Sequence, residues 1–290
     1  MDTIPNNFMG LEDKYSRYAD ARFVIQPIPY DAGTSWQPGA RNGPGAIIAA
    51  SQHLEWLDEE YGAQCYKCGI ATMDAVEPNL ASPEAMQEAL FKLARRIVRD
   101  GKFLIGLGGD HSVTPALVRA AKTRHKKLSV LQIDAHLDLR DSYQGSPYSH
   151  ASAMSRVVEH GVHLVPVGIR AFSPGSRRSA RRAGIDVITA RACHRDASWI
   201  DRAVDALGQV VYVTIDIDGF DPAYAPGTGT PEPGGLDWYQ VTDLLRRAAS
   251  QRQIIGADVV EVMPIPGQVV TEFLAARVIY KLITYVQRST

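Results

Sequence analysis

Asp134, His136 and Asp138 are three metal-competent side chains at alternate positions of the run Asp134-Ala135-His136-Leu137-Asp138. Positions i, i+2 and i+4 of an extended chain project to one side, so the three can converge on a single point. The preceding residues 128–133 are apolar enough for a buried strand, and carboxylates at its tip would be costly unless a cation compensated them. Residues 210–215 repeat the design by running into Asp216-Ile217-Asp218. A third apolar run, 103–107, ends in Gly108-Gly109-Asp110-His111-Ser112, a tight turn that lifts His111 above the sheet and then starts a helix.

His111, Asp134, His136, Asp138, Asp216 and Asp218 together are too many ligands for one ion. Four carboxylate charges balance two divalent cations, and mixed oxygen and nitrogen donors suit manganese, with nickel, iron, cobalt or zinc accepted by the same donors. Two ions roughly 3.5 to 4 Å apart hold a water between them and bring its pKa towards neutrality. His53, His125, His160, His163 and His194 lack such company and are expected to be structural or solvated.

The elements that would position these groups alternate along the chain. Strands are expected at residues 23–27, 66–71, 103–107, 128–133, 163–169, 187–188, 210–217 and 254–260. Helices are expected at residues 45–53, 83–100, 114–124, 151–160, 174–183, 198–207, 238–250 and 271–288. Such alternation argues for a largely parallel sheet with helices on both faces. Open parallel sheets bind ligands beyond the carboxyl ends of their strands, where the acidic stretches fall. No linker, low-complexity tract or repeat interrupts the pattern, so one domain over 1–290 is expected.

Composition narrows the partners. The 290 residues hold 31 Lys and Arg against 32 Asp and Glu, a net charge of −1, which suggests neither nucleic acid nor membrane. Arg177, Arg178, Arg181 and Arg182 read as a solvated helix face. The first 18 residues lack the pattern of a secretion signal, no apolar run is long enough to span a bilayer, and three cysteines argue against a disulfide framework. A cytoplasmic location is the expectation. Cys65 and Cys68 form a Cys-x-x-Cys pair, read as structural at a strand edge.

The motifs Gly108-Gly109-Asp110-His111-Ser112, Asp134 to Asp138, Ser149-His150-Ala151-Ser152, Asp216-Ile217-Asp218 with Asp221-Pro222, and Glu261 occur in the order found in ureohydrolases. With Pro27-Ile28-Pro29-Tyr30-Asp31 and Gly43-Pro44, the chain resembles the ureohydrolase (arginase and agmatinase) family over almost its whole length. The resemblance implies an α/β/α sandwich with an eight-stranded, mostly parallel sheet, and a homotrimer or homohexamer. It also implies two manganese ions, one held by His111, Asp134, Asp138 and Asp216, the other by His136, Asp134, Asp216 and Asp218. By the same resemblance Asp138, His150 and Glu261 are catalytic. Asp138 would orient the nucleophile's proton, His150 would protonate the leaving amine, and Glu261 would pair with the guanidinium through fork-to-carboxylate geometry. Ser149 and Ser152 are expected to be loop hydrogen bonders.

Gly227-Thr228-Gly229-Thr230-Pro231-Glu232-Pro233-Gly234-Gly235 resembles the agmatinase branch. Hydrolysis of agmatine to putrescine and urea, a step of polyamine biosynthesis, is therefore the leading expectation. Arginases carry an asparagine downstream of the aspartate cluster, whereas this chain has Arg140. Arg140 is expected to pair with Asp141; facing the pocket, it would instead attract a carboxylate, as in 4-guanidinobutyrate or 3-guanidinopropionate. The segment Met263-Pro264-Ile265-Pro266-Gly267-Gln268 also departs from many relatives, at the substrate's far end. The segment after Ser149 resembles enzymes accepting N1-aminopropylagmatine, which keeps a longer polyamine substrate open. A formimidoylglutamate hydrolase and a non-catalytic metal-binding subunit are the remaining alternatives.

Overall fold

Eight runs rich in β-branched and aliphatic residues form strands: β1 (Phe23–Ile28), β2 (Ile70–Thr72), β3 (Phe103–Gly108), β4 (Ser129–Ile133), β5 (His163–Ile169), β6 (Ile188–Thr189), β7 (Val210–Asp216) and β8 (Gln253–Val260). This computed structural model describes residues 5–289; the first four residues and Thr290 of the expected single unit lie outside the described residues. The strands pair in the order β2-β1-β3-β8-β7-β4-β5-β6, and every pairing is parallel. Inner strands read as continuous apolar runs because both their faces are covered.

Alternate side chains feed two separate cores. Ile105, Leu107, Leu131, Ile133, Val213 and Ile215 point to one face, where they meet the helices Gly43–Ser51, Trp199–Ala206, Trp238–Gln251 and Val270–Arg288. Leu104, Val130, Leu164 and Tyr212 point to the other, under the helices Pro83–Arg99, Thr114–Lys122 and Ala153–Glu159. The result is the three-layer α/β/α sandwich expected. Pro27 is tolerated within β1 because the short neighbour β2 pairs only with Phe23, Val24 and Ile25, so the missing N–H falls beyond that ladder.

Two local expectations need correction. Only Ile70–Thr72 of the 66–71 run is strand; Cys65–Cys68 is a turn of 3-10 helix, and Gly69, with φ of 85°, breaks the chain before β2. Cys65 and Cys68 are thus free thiols in a helical turn. Burial pushes the Cys68 thiol up to about 12, which disfavours the reactive thiolate. An unexpected helix, Ala190–Arg195, is too short for periodicity to reveal, though Thr189 caps it by accepting from the Ala192 N–H. Among the described residues, no helix is long and apolar enough to cross a membrane.

Candidate metal centre

The four central strands β3, β8, β7 and β4 are neighbours, and each ends in one part of the site. β3 leads to His111, β4 to Asp134 through Asp138, β7 to Asp216 and Asp218, and β8 to Glu261. Gly109 makes the first of these exits feasible, because a Cβ there would overlap the Tyr30 carbonyl. Asp110 then caps the turn by accepting from the Ser112 N–H and fixes the adjoining loop by accepting from Gly33 N–H at 2.6 Å.

The six expected ligands converge. Among the described residues, His111, Asp134 and Asp216 form one group of donor atoms within 4.8 Å of one another, and Asp134, His136 and Asp218 form a second. Asp134 is common to both. Asp138 approaches the first group, its Oδ2 lying 3.2 Å from His111 Nδ1. That nitrogen is also 3.2 Å from Asp134 and 3.4 Å from Asp216. It is buried and has no hydrogen-bond partner. One N–H cannot serve three carboxylates, whereas a lone pair on Nδ1 beside three carboxylate oxygens is a donor set for a divalent cation. His136 Nδ1 stands likewise, 3.0 Å from Asp218 and 3.7 Å from Asp134.

The electrostatics of these donors reflect the crowding of carboxylates around two buried imidazoles. Burial opposes charge on His136, but Asp218 and Asp134 outweigh it and push the imidazole up to about 12. His111 is likewise raised, its burial overcome by Asp134, Asp138 and Asp216. Burial and then the Asp218 and Asp134 charges drive Asp216 well above the usual carboxylate range. These donors thus favour protons or other positive charge, and a metal binding to them must displace any proton they hold.

Asp138 and Glu261 share an unusual backbone, with φ of 48° and 62°. Left-handed residues other than glycine cost on the order of 1 to 3 kcal/mol and cluster at functional sites. Glu261 Oε1 accepts from the His111 N–H at 2.9 Å and lies 3.0 Å from His150 Nδ1. His150 opens a 3-10 turn before the helix Ala153–Glu159, and its Nε2 lies 2.8 Å from Ser35 Oγ. Ser149 donates to the Gly33 carbonyl. The proton-carrying candidate and the guanidinium-binding candidate are therefore in direct contact.

Comparison with known proteins sets this geometry in context. Residues 21–284 match the arginase family. The chain belongs to that family. It is 41% identical to the N(1)-aminopropylagmatine ureohydrolase of Synechocystis, over 97% of this chain and 94% of the relative. The agmatinase of Pyrococcus horikoshii is 36% identical over 84% of each chain. Among solved structures, the proclavaminate amidino hydrolase of Streptomyces clavuligerus superposes with a TM-score of 0.90 at 30% identity, covering 99% of this chain and 98% of the other. This arginase-family chain is a ureohydrolase, a hydrolase of guanidino compounds, in a family that depends on two metal ions.

The arginase-family centre opens into a cavity of about 300 Å³. Beyond the ligands its wall is built by Arg140, Tyr143, Phe172, Ser173, Ser176 and Glu232. Arg140 does not pair with Asp141, which instead meets Arg156 at 3.3 Å. Its guanidinium lies over the Tyr143 ring, 4.5 Å from the centroid, which places it on the cavity wall. Spacing could not reveal this, because Tyr143 sits in an irregular loop. Glu232 belongs to the agmatinase-like loop 227–235, but Phe172, Ser173 and Ser176 follow β5 with no signal in their types. Gln132, Thr214 and Asp258 do carry one: each is a polar, buried residue inside an apolar strand. Gln132 donates to Asp134 Oδ2 at 2.7 Å and to the His136 carbonyl at 3.0 Å, bracing two candidate ligands of the same strand end. Of the five isolated histidines, His194 is tied to the Gly235 carbonyl at 2.8 Å.

Proposed function

We propose that this ureohydrolase acts on N1-aminopropylagmatine, releasing urea and the triamine spermidine, with two manganese ions bound by His111, Asp134, His136, Asp138, Asp216 and Asp218. The observation that carries the substrate is the higher identity to the Synechocystis enzyme of that name, 41% over nearly both whole chains, against 36% for the Pyrococcus agmatinase. This replaces agmatine as the leading expectation. The cavity supports a longer amine, since Glu232 can receive an ammonium and Phe172 can cover methylenes beyond the reacting carbon.

Bound ions would supply a water activated at neutral pH. Every other task falls to side chains. Glu261 holds the guanidinium, whose charge matches the carboxylate. Asp138 takes up the hydrogen bond from the attacking water and orients it towards the guanidinium carbon. As the new C–O bond forms and the C–N bond to the amine breaks, the departing nitrogen needs a proton, and His150 donates it.

His150 suits that role as an acid. Burial disfavours its charged form, but Glu261 opposes this and raises the imidazole to about 9, so it holds its proton at neutral pH. Turnover is therefore expected to fall as pH rises through about 9. In Glu261→Gln the limb should move down by more than about one pH unit, with urea release reduced at least about 10²-fold. A pH profile of kcat for the two proteins checks this; an unmoved alkaline limb would remove Glu261 as its cause.

Arg140 favours one rival. On the cavity wall it can attract a substrate carboxylate and repel a distant ammonium, as a guanidino acid hydrolase would require. Urea release from N1-aminopropylagmatine, agmatine, arginine, 4-guanidinobutyrate and 3-guanidinopropionate, with formamide release from formimidoylglutamate, separates these readings. Aminopropylagmatine is expected to exceed agmatine in kcat/KM by about tenfold or more, the scale of a few well-placed contacts. A guanidino acid at the head of the series would overturn the polyamine reading, and silence on all would favour a non-catalytic subunit.

A further inference from the structure

Behind His111, away from the cavity, lies a hydrogen-bonded chain that the reaction as described does not use. Thr214 on β7 and Asp258 on β8 are cross-strand partners in the sheet, and both are fully buried. Thr214 Oγ1 lies 2.9 Å from His111 Nε2 and donates to Asp258 Oδ1 at 2.6 Å. The other carboxylate oxygen, Oδ2, accepts from the Tyr212 hydroxyl at 2.8 Å. Gly106, opposite Asp258 on β3, supplies room, since a Cβ there would approach the Asp258 Cβ to 3.2 Å. Among the described residues no lysine or arginine pairs with Asp258. A carboxylate buried this way is costly, and hydroxyls alone satisfy it.

The chain has a direction. A hydroxyl owns one proton, and Thr214 gives its proton to Asp258. Towards His111 it can then only accept, which requires the imidazole proton to be on Nε2. In the neutral imidazole, the form that binds a cation, Nδ1 is left with its lone pair facing Asp134, Asp138 and Asp216. The opposite hydroxyl orientation would place a proton on Nδ1 and close that nitrogen to a cation.

We propose that Asp258 is a positioning residue that acts through Thr214 to hold His111 as the Nε2–H tautomer, so that Nδ1 stands ready as a metal donor. Ligand histidines are commonly oriented by the partner of their second nitrogen, and loss of such partners typically costs about 10 to 100-fold in metal affinity. Here the partner is a two-residue relay across adjacent strands, and Tyr212 keeps the terminal carboxylate in place. The inference rests on the reading of His111 as a metal ligand.

The test uses the full chain, stripped by chelation and titrated with Mn2+. Thr214→Val keeps the shape and removes the hydroxyl. It is expected to weaken one of the two ions about 10 to 100-fold and leave the other within about threefold, with Thr214→Ser restoring both. Wild-type affinity for both ions in Thr214→Val would overturn the relay. Binding of fewer than two ions by the wild-type protein would overturn the metal reading and the relay with it, so the two failures are distinct. A measurement independent of variants is 15N-histidine NMR of the zinc-loaded wild-type chain. A solvent-protected, protonated Nε2 on His111 is expected, and a non-protonated Nε2 would sink the proposal.

Discussion

Asp138→Asn is expected to reduce urea release at least about 10³-fold while raising the unfolding temperature of the metal-free protein. The two effects have one origin. Asp138 is raised above its ordinary range by burial and by Asp134, so without an ion it is one more carboxylate than the site can comfortably hold. Asparagine keeps the shape and tolerates the left-handed backbone at this position, where φ is 48°. What it removes is a negative charge beside His111 Nδ1 and the acceptor for the nucleophile's proton. Urea assays and thermal melts with and without Mn2+ check both arms. Activity within tenfold of wild type, or a lower melting temperature for the metal-free variant, would contradict the role assigned to Asp138.

Metal removal is expected to turn the protein into one whose stability declines steadily from about pH 5 to pH 9. Asp110, raised to about 7 by burial and by Glu261, and Asp216, raised well above the usual carboxylate range by burial and by Asp218 and Asp134, hold protons in the folded state that the unfolded chain has already lost. Their contribution is present at low pH and disappears as pH rises through the folded values. The raised imidazoles act in the same sense. His150 near 9 and His136 near 12 bind protons that unfolded histidines release above about 6.5, so their stabilisation also fades with rising pH. Asp134 runs the other way: it is lowered, burial being outweighed by His111 and His136, and its contribution is lost only on acidification. Ions replace these protons, so loading should stabilise most at the alkaline end, by about 4 kcal/mol per ion at a thousandfold excess over Kd. Melting curves of chelated and loaded protein at pH 6 and pH 9 give the comparison. A chelated protein that is more stable at pH 9 would refute this account.

Alternation makes Asp134, His136 and Asp138 legible, because a strand's period of two fixes which side chains can meet whatever the rest of the fold does. His111, Asp216 and Asp218 are legible for the same reason, standing just past apolar runs that only a sheet could bury. Arg140 is not. Its position follows from the course of the irregular loop that carries Tyr143, and the charge pairing with Asp141 that sequence adjacency suggests is lost because Asp141 lies closer to Arg156. Residues 66–68 are misread as strand because they run on into the apolar Ile70-Ala71, and nothing in their types marks the break until Gly69 is given its positive φ. Thr214 and Asp258 are the instructive omission: a threonine among valines and an aspartate beside alanine look like tolerated exceptions one strand at a time. Only cross-strand register joins them.

β8, the last of the eight described strands in chain order, occupies the middle of the sheet between β3 and β7. Until it arrives, β2-β1-β3 and β7-β4-β5-β6 are two half-sheets, each presenting an open inner edge of the kind that invites wrong pairing. His111 belongs to one half, while Asp134, His136, Asp138, Asp216 and Asp218 belong to the other. Before β8 is made, a nascent chain on the ribosome therefore carries all six groups, but on two half-sheets that nothing yet holds in register. Insertion of β8 unites them, so closing the sheet and assembling the candidate metal cage become the same event.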